Sequence, residues 1–190
     1  MKMKKLSVVL LSLLAAVMVL SGCGGGAQDN DSAESAENGA KNSDQAILVV
    51  SFGTSYNDSR DKTIGAIETA AAEAFPEYEV RRAFTSQIII DKLKERDNLE
   101  IDNVTEALDR AVADGIKTLI VQPTHLMNGY EYTDLKEELE TYRDKFEKIA
   151  LGEPLLTSEE DFRAVAETIT SETSSYDDGK TAICFMGHGT

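Results

Sequence analysis

Tryptophan is absent, and the 190 residues hold only two cysteines, two histidines and three prolines. Two cysteines exclude a disulfide-stapled scaffold, and two histidines exclude a histidine-rich metal cluster built from this chain alone. Positive charge is also scarce: 19 Lys and Arg face 34 Asp and Glu, for a formal net charge of −15. Such a chain has no basic footprint with which to displace counterions from phosphates, which argues against nucleic-acid binding. What remains, 42% hydrophobic residues in a chain of this length, suits one ordinary domain or one and a half.

The start of the chain reads as a targeting segment. Lys2, Lys4 and Lys5 precede an apolar run from Leu6 to Leu20, broken only by serines. That run has the length of a signal-peptide core and is too short for a comfortable transmembrane helix. Leu20-Ser21-Gly22-Cys23 follows and resembles the bacterial lipobox, in which the cysteine is lipidated and becomes the new N-terminus. The alternative is a plain secretory signal with an incidental cysteine. The expectation is a signal peptide over 1–22, lipidation at Cys23, and a protein exported and lipid-anchored to the outer face of the cytoplasmic membrane, extracytoplasmic or periplasmic. Residues 23–45 are rich in Gly, Ser, Asn and acids without an apolar period, which predicts a flexible acidic tether spanning on the order of 25 Å.

Beyond the tether, apolar and amphipathic segments alternate. Ile47-Leu48-Val49-Val50 reads as a strand buried on both faces. A helix is expected from about Ser59 to Phe75, with Ile64, Ile67, Ala71 and Ala74 inward and Pro76 as the stop. Further expectations are a strand over 78–84 and a short helix over 86–95 with Ile88, Ile89 and Ile90 as its core patch. A helix over 103–114 buries Val104, Leu108, Ala111 and Val112 before Gly115. A strand over 116–121, a long charged helix over 130–148 and a short strand over 149–152 come next. Ser158 opens another helix with Asp161 as its capping partner, and the last strand covers 181–186. Strands alternating with helices imply a parallel sheet flanked by helices.

Ligands of such sheets sit at the carboxyl ends of the strands. Both histidines fall there: His125 after Ile120-Val121-Gln122-Pro123-Thr124, and His188 after Ile183-Cys184-Phe185-Met186-Gly187. An imidazole can offer a neutral nitrogen to a metal or accept a proton near neutral pH. An internal repeat is visible as well. Ile47 to Thr54 and Ile183 to Thr190 are both an apolar strand followed by Gly-Thr, with Phe52 over His188. The second copy ends where the sequence ends, so the expectation is one complete α/β lobe over 46–152, and over 153–190 a linking helix and the first strand of an incomplete second lobe.

Five ordered motifs carry a family resemblance: Val49 to Tyr56, Arg82 to Ser86, His125 to Tyr132, Leu151 to Leu156 and Phe185 to Thr190. Together they resemble the anaerobic-type sirohydrochlorin cobaltochelatases of the CbiK family, over the whole segment from Ala46 to Thr190. The resemblance implies a chelatase-like fold of two similar α/β lobes with parallel sheets flanked by helices, here with the second lobe truncated. It implies insertion of Co²⁺ into sirohydrochlorin in anaerobic cobalamin synthesis, without a nucleotide. It implies that His188 is a metal ligand and the catalytic residue. The family's other two ligands, a Glu and a second His, belong to the second lobe and would lie beyond residue 190.

The residues themselves fit that chemistry. Metallation removes two pyrrole protons and brings a desolvated ion to the ring face, and an imidazole can serve either step. Gly187 and Gly189 permit close approach of a flat macrocycle. Glu131 reads either as a cleft residue, by the repeat, or as an acid in the first turn of a helix. His125 reads as a loop-shaping or cleft-lining group rather than a ligand. Ser51, Phe52, Gly53, Thr54 and Ser55, with Tyr56, read either as a substrate-binding loop or as a turn and N-cap. Arg81 and Arg82 could counter substrate carboxylates, at most one of them facing in. Cys184 reads as a small core residue. Imidazole accepts Fe²⁺ or Ni²⁺ as well as Co²⁺. Two classes of function stay open: a lipid-anchored chelatase, and an exported lipoprotein that binds a metal or a tetrapyrrole without inserting anything. The membrane is expected to be reached through the lipid alone, and a homo-oligomer is left open.

Overall fold

The computed structural model describes residues 44–185. The signal segment, Cys23, most of the tether, and the Met186 to Thr190 end with Gly187, His188 and Gly189 lie outside the described residues.

Four strands form one parallel sheet: β1 Gln45–Ser51, β2 Glu79–Phe84, β3 Thr118–Pro123 and β4 Lys148–Leu151. Their order is β2-β1-β3-β4. β1 is central because it is apolar on both faces; every residue from Ala46 to Ser51 is buried. The helices in chain order are α1 Asn57–Lys62, α2 Ile64–Ala74, α3 Gln87–Asp97, α4 Val104–Ala113, α5 Tyr130–Thr141 and α6 Glu159–Thr173. This is the α/β class expected, with the parallel sheet and flanking helices. Among the described residues no helix is long and apolar enough to cross a membrane.

The main core lies on one face of the sheet. Ala46, Leu48, Val50, Leu119 and Val121 alternate along β1 and β3, and pack against Val104, Ala107, Leu108 and Ala111 of α4 and Leu135 and Leu139 of α5. A second cluster joins Phe84, Ile64, Ile90, Leu93 and Ile101. α4 begins with a capping box: Asn103 Oδ1 accepts from Glu106 N at 2.9 Å, and Glu106 Oε2 accepts from Asn103 N at 3.0 Å. α6 repeats the device with Ser158 and Asp161, as its sequence predicts.

Several expectations are corrected. The helix over 59–75 is two helices, α1 and α2, meeting at Thr63, whose ψ of −72° bends the chain. The Ile88–Ile90 patch does not face inward as a unit. Ile90 is buried while Ile88 is 81% exposed, because consecutive helix residues step about 100° around the axis. In α4 the inward set is Val104, Ala107, Leu108 and Ala111, and Val112 points out. The helix from Tyr130 stops at Thr141 rather than Lys148. A 3₁₀ turn over Arg143–Lys145 follows and lets Phe146 bury itself, after which Lys148 already pairs in β4. β3 runs two residues later than expected and ends on Pro123, which has no N–H to extend a ladder. Residues 181–185 form no strand. A strand needs a neighbour for its backbone groups, and none of the four strands pairs with this segment.

Candidate functional site

The chain leaves β1 toward β2 on one side and later places β3 on the other side of β1. The connections therefore diverge between β1 and β3, which is the switch point where open α/β sheets hold their ligands. The loops that flank it are Phe52 to Tyr56, after β1, and Thr124 to Gly129, after β3. These loops carry most of the residues singled out in the sequence.

The β1 loop is held from beneath. Ser51 is buried, and its Oγ accepts a 2.9 Å hydrogen bond from Thr124 Oγ1, which ties the two loops together at their base. Thr124 N donates to Val50 O at 2.9 Å. Gly53 has φ of 96°, in the left-handed region that favours glycine. Thr54 Oγ1 accepts from Tyr56 N at 3.3 Å, so this hydroxyl shapes the turn. Ser55 is buried, and its carbonyl accepts from Arg96 Nη2 at 2.7 Å; the same Nη2 reaches Asn57 Oδ1 at 2.9 Å. Ser51, Gly53, Thr54 and Ser55 thus build the loop, and Phe52 and Tyr56 are what it exposes.

The β3 loop brings His125 and Glu131 together. Glu131 lies in the first turn of α5, and its Oε2 is 3.3 Å from His125 Nε2. The two readings of Glu131 therefore coincide: it is a first-turn acid and also faces a histidine. The His125 side chain is 9% exposed, and neither ring nitrogen has a hydrogen-bond partner. Leu155 N donates to His125 O at 3.0 Å and Leu156 N to Leu126 O at 2.7 Å, so the Leu151 to Leu156 motif pins this loop. Tyr132 OH donates to Gly152 O at 3.2 Å from the same direction.

Sequence reasoning left two features of this edge without a role. Leu126, Met127 and Tyr130 are exposed, and with Phe52 and Tyr56 they form an apolar rim around the switch point; Tyr130 is 92% exposed. Leu126 and Met127 stood inside a recognised motif, and an apolar pair in a polar loop was the available signal. Arg96 carried no signal, because the loop it holds is 41 residues away in sequence. Arg81 and Arg82 turn out to be engaged structurally. Arg81 pairs with Glu79 and Asp114, and Arg82 with Glu68, so neither is left for a substrate carboxylate. The Asp102–Arg110 pair lies beside Arg81 and Arg82 along the same β2-side groove. Cys184 is exposed rather than a core residue, since its segment forms no strand. Among the described residues no group of three or more His, Cys, Asp or Glu is placed to hold a metal ion.

A parallel α/β unit with two histidine- and hydroxyl-bearing loops at its switch point is a small-molecule-binding architecture. The family model for cobalt chelatase (CbiK) matches residues 45–190, and the chain belongs to that family. It is 39% identical over 145 residues to the sirohydrochlorin cobaltochelatase of Salmonella typhimurium, covering 76% of this chain and 54% of that protein. It is 32% identical over 148 residues to sirohydrochlorin cobaltochelatase CbiKC of Nitratidesulfovibrio vulgaris, covering 77% of this chain and 52% of that protein. The chain thus spans about half the length of the curated relatives it matches. A solved structure from Marinobacter aquaeolei VT8, named for a cobalamin (vitamin B12) biosynthesis CbiX protein, aligns with a TM-score of 0.49 at 16% identity, over 70% of this chain and 98% of that one.

Proposed function

We propose that this chain is the first lobe, with the opening of the second, of a sirohydrochlorin cobaltochelatase that inserts Co²⁺ into sirohydrochlorin. The observation that carries the reading is the family match over the whole described segment and on through His188. The exposed rim of Phe52, Tyr56, Leu126, Met127 and Tyr130 supports it, since a flat conjugated ring is best recognised by aromatic and apolar faces. Residues 46–152 form the lobe, and 153–190 begin its partner.

In this reading Co²⁺ is a substrate, not a resident cofactor. His188 is the metal ligand supplied by this chain and is positioned to take up a pyrrole proton. The remaining ligands come from the second lobe. Phe52, Gly53 and Thr54 bring the first-lobe backbone to the ring, Ser51 and Ser55 hold that loop in place, and His125 and Glu131 face the substrate from the other loop. The leader and Leu20-Ser21-Gly22-Cys23 make the protein a lipoprotein, with the lobe held outside the cytoplasmic membrane by the 23–45 tether.

The test is an absorption assay with Co²⁺ and sirohydrochlorin. The metallated-ring spectrum is expected when the second-lobe half of a relative is fused to this chain, and it is expected to vanish in the His188→Ala fusion. Tight binding of the ring without a metallation shift in the unmodified fusion would sink the enzyme and leave an exported binding protein. Robust turnover by the 190-residue chain alone would overturn the two-lobe partition. Incorporation of labelled palmitate in cells, lost in Cys23→Ala, tests the anchor.

A further inference from the structure

His125 is a buried imidazole whose Nδ1 and Nε2 both lack hydrogen-bond partners. An unsatisfied buried polar atom costs about 1–3 kcal/mol, so its persistence calls for a ligand. The nearest charged atom is Glu131 Oε2, at 3.3 Å and outside hydrogen-bond geometry. Two donors sharing one ion, each about 2.0–2.2 Å from it and subtending roughly 90–110°, stand about 2.8–3.6 Å apart. The His125–Glu131 separation falls inside that range.

A second feature points the same way. A cavity of about 400 Å³ opens beside the pair, and Glu131, Asp134 and Glu138 line it from one face of α5. Glu138 is steadied by a hydrogen bond from Thr105 Oγ1. Three carboxylates on one wall attract a hydrated cation.

We propose that His125 and Glu131 form an open, two-ligand site for a first-row divalent cation, reached through this cavity past Asp134 and Glu138. One imidazole nitrogen and one carboxylate oxygen suit borderline ions such as Co²⁺, Ni²⁺, Fe²⁺ or Zn²⁺, whereas Mg²⁺ and Ca²⁺ favour all-oxygen shells. With no third protein donor among the described residues, water completes the coordination sphere and exchange is fast. Those are the properties of a transit site, which takes the ion from solvent and holds it partly dehydrated. Its role in feeding metal to the ring rests on the chelatase reading; the binding itself does not.

The experiment is Co²⁺ titration of the 190-residue chain without tetrapyrrole, read by the visible absorption of bound Co²⁺ and by paramagnetic broadening of the His125 ring signals in NMR. Broadening of those signals is expected. His125→Gln and Glu131→Gln are each expected to weaken the event at least ten-fold, while Asp134→Asn with Glu138→Gln weakens it by a few-fold at low salt. Glu131 is half exposed, so its variant keeps the test valid if the histidine variant fails to fold. His188→Ala should leave the His125 broadening in place. Unbroadened His125 signals would mean an imidazolium–carboxylate ion pair only, and would overturn the site. So would broadening that persists unchanged in Glu131→Gln or disappears in His188→Ala. Co²⁺ binding here without any ring metallation by the fusion protein would sink the chelatase reading alone.

Discussion

Gly53 passes directly over the ring of Phe84: a Cβ built on Gly53 would lie 2.5 Å from Phe84 Cδ2. Phe84 is fully buried at the end of β2, so the ring has no room to move away. The β1 loop can therefore turn across the sheet edge only if position 53 has no side chain.

Gly53→Ala is thus expected to lose stability twice, through the positive φ and through the clash. Left-handed strain costs about 1 kcal/mol, and overpacking about 1–3 kcal/mol more. Urea denaturation should show a loss of roughly 2–4 kcal/mol with an unchanged slope. A loss below 0.5 kcal/mol would mean that the loop has another conformation.

The cap of α6 makes stability depend on acid pH. Asp161 Oδ2 accepts from Ser158 Oγ at 2.7 Å, Thr157 Oγ1 at 2.7 Å and Ser158 N at 2.8 Å. These bonds, those from the Ser158 and Thr157 side chains first, hold its carboxyl down to about 2. A depressed carboxylate stabilises fully above its unfolded value, about 3.9, and loses that contribution as pH falls through the folded value. Asp161→Ala should cost about 1 kcal/mol at pH 7. The gap in thermal midpoint between the two proteins should narrow between pH 4 and pH 2. A gap constant over that range would refute the assignment.

Tyr142 closes α5 and donates to Asp109 Oδ1 at 2.7 Å. Burial, then the bond to Asp109, pushes its phenol up to about 12. Difference absorption during alkaline titration should show one tyrosine ionising there, and Tyr142→Phe should abolish that step. Because the folded value is raised, the stabilisation is present below pH 10 and fades as pH climbs toward 12. The Phe variant is expected to lose about 0.5–1.5 kcal/mol at neutral pH.

The inward face of α4 can be tested by contrast. Leu108→Ala empties a fully buried position and should cost about 2–5 kcal/mol. Val112→Ala, four residues on, should stay within about 0.5 kcal/mol, since Val112 lies on the outer side. Equal losses would restore the face on which Val112 points inward.

Much of the fold was legible because its signals are local. The unbroken apolar run of β1 announces a strand buried on both faces, and Asn103 with Glu106, or Ser158 with Asp161, announces a helix start within four residues. The misplaced features were those that packing decides. Ile88, Ile89 and Ile90 are equally apolar, and only the position of the core selects Ile90. The helix after Tyr130 ends early because Phe146 turns into the core and β4 pairs with β3, neither of which is visible in a run of charged helix formers. In the site, the sequence placed His125 and Glu131 on one loop and its helix but did not bring them into contact.

By itself, then, the sequence determined the α/β class, the two strand-end loops, the family motifs and the sharp turn at Gly53. Periodicity, capping and glycine preferences act over a few residues and leave a readable trace. Only the tertiary structure decided that Ser51 is tied to Thr124, that Arg96 holds the carbonyl of Ser55, and that a buried imidazole faces Glu131. The first two contacts join residues 73 and 41 positions apart. The third depends on how α5 leaves the sheet. Each is set by strand order and helix packing, which no local pattern encodes.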